Sequence, residues 1–517
     1  MSFALARRCN LASKLKFSTL HNLADLRLPH TWYPKARAFQ REFIYHMGPT
    51  NSGKTFAALN RLKAAKSGVY CAPLRLLAGE IADKLNGEGI KCSMITGQER
   101  ILVEGATHLA CTIEMLDMHW YYDCAIIDEI QMLEDEGRGS SWTAAVLGVL
   151  SPEIHLTGDF RASEIMKKLI EDTGDKLKFE TYSRLSPLRI IEPIENLEDL
   201  EVGDCLIAFS RKTCHKLKTL IHTKHPASCS IIYGNLPPEA RREQARKFND
   251  REGVKFLVAT DAIGMGLNYN INRVIFYTTE KHDGKHVRSL FPQEIKQIAG
   301  RAGRYNKIGS VTTTNIEDMH YLRTALNSNQ TNTIAKAAIF PTYEQLMEFK
   351  AALEDEHGAM PFIEMLNRFV SAATLDKKYF LESIEEVVEI AHYIHDLPLS
   401  TQDLLTFCKA PVRTKFHGCM KALRMFAEAY SNDDEVKVRV PSFSSKDSLE
   451  RLEIEYAIYD MYIWLSYKFP SFTQRDLARS LVVLCAEKIN DFLTSRPLIS
   501  LKRKQRKERK RYTDPYE

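Results

Sequence analysis

One octapeptide restricts this chain more than any other stretch: Gly48-Pro49-Thr50-Asn51-Ser52-Gly53-Lys54-Thr55. Its spacing, G-x-x-x-x-G-K-[ST], is that of a phosphate-binding loop. Phe43 to Met47 before it is a short apolar run fit for a buried strand, and Thr55 to Lys63 after it has the Ala/Leu content of a helix. Strand, glycine loop and helix would surround one anion with backbone N–H groups and a helix N-terminus. Lys54 would neutralise the β- and γ-phosphates of a nucleoside triphosphate, and the Thr55 hydroxyl would ligate Mg²⁺. An ordinary glycine-containing turn would need neither flank.

From residue 41 to about 190 short apolar runs alternate with helical segments, the pattern of a parallel α/β sheet. Val69 to Ala72, Leu109 to Thr112, Cys124 to Ile127 and Ile154 onward read as strands. The third ends in Asp128-Glu129-Ile130-Gln131. Far downstream of a P-loop, such an acidic pair fits a nucleotide hydrolase: Asp128 holds Mg²⁺ through water, and Glu129 orients and deprotonates the attacking water. Upstream, His30, Trp32, Tyr33, Pro34 and Arg37 either stack on the nucleotide base or cap the first sheet.

Ser183 to Leu200, with two prolines and several acids, reads as a linker, after which strands resume at Cys205, Ser230, Phe256 and Val274. This second half has no P-loop. It carries Gln297-Ile298-Ala299-Gly300-Arg301-Ala302-Gly303-Arg304, in which two arginines share a helical face. Their planar, permanently charged forks suit a γ-phosphate and its transition state. A surface ion-pair role would not need the two glycines, which weaken a helix and permit close backbone approach.

The expected fold class is therefore α/β: two RecA-like parallel-sheet domains in tandem, followed by an all-helical region that begins after residue 330. There Ile384, Val387, Val388, Ala391 and Ile394 form one apolar face. Leu449 to Leu493 reads as two helices broken at Pro470. The expected segments are 1–24 (transit peptide), 41–190 and 191–330 (the two α/β domains), 331–445 (helical), 446–493 (C-terminal segment) and 494–517 (basic tail).

The chain is 44% hydrophobic and 26% charged, with no apolar run near the ~18 residues that span a bilayer, so no membrane is expected as a partner. Its eleven cysteines show no metal-ligand spacing and fit a reducing compartment. The net charge of +5 is misleading, because Lys502 to Arg511 alone carries +7 and leaves the rest near −2. Nucleic-acid binding by the body must then be confined to a groove. The first 24 residues hold Arg7, Arg8, Lys14, Lys16 and several hydroxyls but no acid, the composition of an organellar transit peptide.

Together these blocks resemble a superfamily 2 helicase of the DExH type. In order they are GPTNSGKT, APLRLLAGE, TGQER, CTIEM, IIDEIQM, LTGD, FSRK, VATDAIGMGLN and QIAGRAGR. DEIQ in place of DEAD, the YGNLPPE block, IFPTYEQL and HDLPLSTQDLLTFCKAPV make the chain similar to the mitochondrial degradosome ATP-dependent RNA helicases, in their plant-like short form. The resemblance implies catalytic roles for Lys54, Asp128, Glu129, Gln297, Arg301 and Arg304, with Arg304 as arginine finger and Gln131 reaching the nucleotide. It implies ATP and Mg²⁺, with Mn²⁺ able to substitute, and metal ligation by Thr55 and Asp128. Pro73, Arg75, Thr96, Gly97, Thr112 and Glu114 would lie along RNA from the first domain, and Ser210, Arg211 and Thr260 from the second. It further implies 3′ to 5′ unwinding of 3′-overhang RNA duplexes, binding of single strands, and some activity on DNA. A 3′ exoribonuclease partner, a homodimer and a mitochondrial matrix location follow from the same resemblance, while the basic tail keeps the nucleus as a second site.

Two other readings are open. A P-loop kinase would explain the loop but not a second α/β domain bearing two arginines. An RNA-binding subunit without strand separation would need a decayed ATPase, yet every chemical position is intact.

Overall fold

The computed structural model describes residues 20–495 apart from 226–227, 265, 285, 304–306, 329–331, 359 and 445–446. Arg304, the N-terminal nineteen residues and the basic run from Lys502 to Arg511 thus lie outside the described residues. The first lobe contains β1 (Glu42–Met47), α1 (Lys54–Ala64), β2 (Gly68–Ala72), α2 (Arg75–Gly87), β3 (Cys92–Ile95), β4 (Arg100–Ile101) and β5 (His108–Thr112). It continues with β6 (Cys124–Ile127), α3 (Gly139–Gly148), β7 (Glu153–Gly158), α4 (Ser163–Thr173) and β8 (Lys176–Thr181). The eight strands form one sheet in the order β4-β3-β5-β2-β6-β7-β1-β8. All its pairs are parallel except β3 with β4.

The second lobe contains β9 (Leu188–Ile190), β10 (Asp204–Ile207), α5 (Arg211–Lys224), β11 (Ser228–Ile232), α6 (Pro238–Asp250), β12 (Val254–Ala259) and β13 (Arg273–Phe276). A hairpin of β14 (Glu280–His282) and β15 (Val287–Ser289) follows, then α7 (Pro292–Ala299), β16 (Gly309–Thr313) and α8 (Ile316–Asn327). Its sheet is parallel throughout, in the order β11-β12-β10-β13-β16-β9. Strands such as β6 and β10 are buried along their length and read as continuous apolar runs because helices cover both sheet faces.

Two expectations change here. Part of the expected linker is a strand, since β9 pairs with β16 at the edge of the second sheet; three half-exposed residues gave it too little apolar content to register. The region after 330 is not wholly helical. It opens with a parallel pair, β17 (Ala337–Ile339) and β18 (Tyr379–Leu381), and β17 lies on α3 of the first lobe, where a Cβ on Gly139 would come 2.9 Å from Ala338 Cβ.

Among the described residues seven helices follow: α9 (Tyr343–His357), α10 (Phe362–Ala372), α11 (Glu385–Ile394), α12 (Thr401–Cys408), α13 (His417–Ser431), α14 (Leu449–Ser466) and α15 (Arg475–Ser495). The expected break falls between α14 and α15. Tyr456, Tyr459 and Tyr462 are buried on α14, and Phe469 just beyond it stacks on Phe407. Ala24, the last residue of the expected transit peptide, is buried, and its carbonyl accepts from Thr374 N at 2.9 Å. It therefore belongs to the folded body. Among the described residues no helix is long and apolar enough to cross a membrane.

Candidate functional site: the cleft between the lobes

The octapeptide joins β1 to α1. Gly53 sits at φ +84° as the residue before the helix, a conformation that costs glycine nothing, while Asn51 takes φ +62° despite its side chain. Lys54 Nζ donates to Pro49 O at 3.2 Å, within its own loop. Ser52 Oγ is buried and has no hydrogen-bond partner, as expected of a loop shaped around an acceptor.

Asp128 follows β6 and is almost wholly buried. Its carboxylate accepts from Tyr70 OH at 2.5 Å, from Glu129 N at 3.0 Å and from Thr157 Oγ1. Trp142 Nε1 donates to its carbonyl at 2.9 Å. Few lone pairs remain, which favours an outer position that reaches a metal through water. With the Thr55 hydroxyl it offers only hard oxygen donors, a set that fits Mg²⁺.

Glu129 stands at φ +54°, a conformation that costs on the order of 1 kcal/mol or more for a residue with a side chain. The twist turns its carboxylate into the cleft, where Gln131 Nε2 donates to it. Desolvation, and then repulsion from Asp128, push its carboxyl above the usual range, while Lys54, Gln131 and Arg301 pull the other way. Gln131 in turn accepts from Asp159 N at 3.2 Å through Oε1, linking the acidic pair to the end of β7.

The opposite wall comes from the second lobe. The cleft holds about 950 Å³ and is lined by Gly48, Pro49, Thr50, Lys54, Glu129 and Gln131 on one side and by Gly264, Lys281, Gln293 and Gln297 on the other. Gln297 Nε2 donates to Gly264 O at 3.3 Å, and Arg301 Nη2 also bonds that carbonyl. Arg301 Nε is buried with no partner, and the guanidinium is attracted to Glu129. At Gly300 a Cβ would lie 2.9 Å from Thr50 Cβ, so only glycine lets this turn come so close to the Thr50 side chain. Separate in the sequence, the P-loop, Glu129 with Gln131, and Gln297 thus share one cavity, with Asp128 next to Glu129 and Arg301 bonded to the lining residue Gly264.

Arg184 gave no sequence signal. It lies between the sheets and bonds Gly300 O at 2.7 Å, Ala302 O, and Thr50 O at 3.3 Å. The aromatics upstream of the loop do not line the cleft: Tyr33 packs against Gly148 at the end of α3, and Arg37 bonds Asp175 at 3.3 Å and Leu147 O at 3.2 Å. They cap the first sheet.

The residues expected along RNA fall elsewhere, three of them (Arg75, Gly97 and Arg211) against α14. Arg75 Nη1 bonds Asp460 at 2.7 Å and its Nη2 bonds Tyr456 OH at 2.6 Å. A Cβ on Gly97 would meet the Trp464 ring at 2.9 Å, and neighbouring Thr96 is buried. Arg211 Nη1 bonds Glu453, which also accepts from Tyr233 OH at 2.6 Å. Ser210 caps α5, and Thr260 is buried at the end of β12. Glu114, beyond β5 and Thr112, pairs with Arg138 at 2.5 Å, and Arg138 also holds Pro73 O at 3.0 Å. Nothing in the sequence flagged Glu453, Tyr456 or Asp460 as partners, because a carboxylate on a helix gives no sign of what it will face.

A family model described as the DEXQ-box helicase domain of Suv3 matches residues 29–182. A helicase conserved C-terminal domain matches 190–306, Suv3 C-terminal domain 1 matches 389–431, and the SUV3 C-terminal domain matches 449–495. The chain is 42% identical over 492 residues to the mitochondrial DExH-box ATP-dependent RNA helicase DExH16 of Arabidopsis thaliana, covering 93% of this chain and 85% of that protein. It is 42% identical over 487 residues to the mitochondrial ATP-dependent RNA helicase SUV3 of Oryza sativa subsp. japonica, covering 91% and 83%. To the human SUPV3L1 it is 39% identical over 473 residues, covering 87% of this chain and 59% of that protein. Similarity at this level along nearly the whole chain, with the cleft intact, places the protein in the Suv3 family of DEXQ-box helicases.

Proposed function

We propose that this chain is a mitochondrial ATP-dependent RNA helicase whose motor is the interlobe cleft. The observation that carries the reading is the meeting of Gly300 with Thr50, which brings Arg301 of one lobe within electrostatic reach of Glu129 of the other. Lys54 swings from Pro49 O to the β/γ-phosphates. Glu129, steadied by Gln131, takes a proton from the attacking water, and the upward shift of its carboxyl makes it a stronger base than an ordinary glutamate. Thr55 and Asp128 would hold Mg²⁺, which supplies charge neutralisation on the phosphate oxygens when bound. Arg301 and Arg304 stabilise charge on the transferring phosphoryl group.

Because the two walls belong to different lobes, hydrolysis and product release alter how the lobes sit together. Contacts to a strand from both lobes then shift relative to one another. Backbone-directed contacts from Pro73, Arg75, Thr96, Gly97, Thr112, Glu114, Ser210, Arg211 and Thr260 would grip RNA with little sequence selection. Family likeness supports 3′ to 5′ polarity, activity on DNA, use of Mn²⁺, a matrix location with a possible nuclear pool, and assembly with a 3′ exoribonuclease or a second copy.

The test pairs ATP hydrolysis, with and without RNA, with strand displacement on 3′- and 5′-overhang duplexes. RNA-stimulated turnover with displacement from the 3′ overhang is expected. Stimulated turnover without displacement would instead identify an RNA-binding subunit, and turnover indifferent to RNA would sink the helicase reading.

A further inference from the structure

Arg184 sits on the segment that leaves the first sheet after β8 and enters the second at β9. Its guanidinium makes four hydrogen bonds, and every acceptor is a main-chain carbonyl. Nε donates to Ser186 O at 2.8 Å, Nη1 to Thr50 O at 3.3 Å and Gly300 O at 2.7 Å, and Nη2 to Ala302 O. These carbonyls come from three places: the P-loop, the crossing segment itself, and the turn after α7.

The group is half-buried and, among the described residues, bonds no carboxylate; desolvation lowers its pKa. A partly buried cation without a counter-ion is costly. What it supplies is geometry, since a rigid fork with five donors can hold several carbonyls at fixed separations and a lysine cannot. A second tie runs beside it: Asn51 Nδ2 donates to Gly303 O at 3.0 Å and to Ser186 Oγ at 3.1 Å. Arg184 does not itself line the cleft. Any influence on the reaction must pass through the turn it holds.

We propose that Arg184 is a positioning residue for nucleotide hydrolysis. It fixes the turn Gly300–Gly303 against the P-loop and thereby sets how far Arg301 reaches toward Glu129. The bonds join the turn of the second lobe to the P-loop of the first, whereas the phosphate cradle itself belongs to the first lobe alone. Loss of Arg184 should therefore slow turnover and leave nucleotide binding nearly intact.

The inference rests on the hydrolysis reading, and the two fail differently: a wild-type chain without ATPase activity ends that reading, while an active wild type allows the inference to be judged. The experiment uses the full chain, Arg184→Ala and Arg184→Lys, measuring RNA-stimulated kcat and, by equilibrium titration, ADP affinity. Arg184→Ala is expected to lower kcat about tenfold, the scale of one lost charge-assisted bond, with ADP affinity within about twofold. Arg184→Lys keeps the charge but can reach one carbonyl, and should recover less than about a third of the lost rate. Unchanged kcat in Arg184→Ala, an equal loss of ADP affinity, or full recovery with lysine would overturn the proposal. Should Arg184→Ala fail to fold, Arg184→Lys decides alone: wild-type kcat overturns the proposal, and a lower kcat with unchanged ADP affinity supports it.

Discussion

The arginines between the two lobes and those beneath α14 have opposite surroundings. Arg301 and Arg184 bond main-chain carbonyls, and Arg301 keeps a buried Nε unbonded. Arg75 and Arg211 are each held by a carboxylate of one helix, Asp460 and Glu453, which lie two turns apart on the same face. Tyr456 between them joins the two sets, bonding Arg75 in the first lobe and Glu239 at 2.9 Å in the second. A guanidinium hydrogen-bonded only to carbonyls can turn to a phosphate without giving up a bonded carboxylate. A paired one yields to a phosphate only by giving up its carboxylate. The first region is built for chemistry, and the second for a grip that must be exchanged.

The strongest way to break this comparison is to remove the cleft cations. Lys54→Ala is expected to lower ATP turnover by about three orders of magnitude and to abolish nucleotide binding, whereas Arg304→Ala should cost as much in turnover and leave binding in place. Normal hydrolysis by Arg304→Ala, read in a steady-state assay, would end its assignment as the finger.

Beneath α14 the expected effects are smaller and differ in sign. Asp460→Asn keeps the shape but frees Arg75, and should tighten single-stranded RNA binding by about fivefold at low salt, with a steeper salt dependence. Fluorescence anisotropy across a salt series reads both. Unaltered affinity and slope would mean that Arg75 serves only to seat the helix. Glu453→Gln should destabilise the chain by about 2 kcal/mol, because the amide oxygen can accept from only one of Arg211 and Tyr233 and Arg211 loses its buried counter-charge. Denaturant unfolding reads that loss, and midpoints equal to wild type would remove Glu453 from the scaffold.

A third test concerns pH. Glu129 must be ionised to accept a proton, and burial raises its carboxyl above the usual glutamate range. The acid limb of the kcat–pH profile should therefore lie above that range, with turnover falling as pH drops through it. Gln131→Ala removes a bond that favours the charged form and should move the limb higher still. A limb that stays in place would separate Gln131 from the base.

The smallest effect is expected at His46 in β1. Its Nε2 bonds His155 Nδ1 at 2.7 Å and its Nδ1 bonds Tyr182 OH at 2.8 Å. Desolvation, reinforced by His155, lowers its pKa from 6.5 to about 4. The unfolded chain then binds the extra proton first, so this stability is complete above 6.5 and is lost as pH falls toward about 4. His46→Gln should flatten that part of a Tm–pH curve, and a curve as steep as wild type would show that His46 is not its source.

Much of the cleft was legible in the sequence because its parts are local. Gly48 to Thr55, Asp128-Glu129 and Gln297 to Arg304 each carry their chemistry within a few residues, and the first two directly follow apolar strands that fix their place. Short or exposed strands were not legible. β8 is exposed along most of its length, and β9 has three residues, so neither shows the apolar run that marks a buried parallel strand. The likeness to degradosome helicases located Arg75 and Arg211 on motifs but could not show that α14 holds them.

By itself, then, the sequence determined a nucleotide-binding lobe, a second α/β lobe with arginines and a helical extension, since periodicity and loop chemistry are properties of neighbouring residues. Only the tertiary structure decided which charges are free and which are taken. Arg184 meets Gly300, Arg75 meets Asp460 and Arg211 meets Glu453 across long stretches of chain. A guanidinium's partner is set by where the chain returns in space, and no local pattern encodes that return.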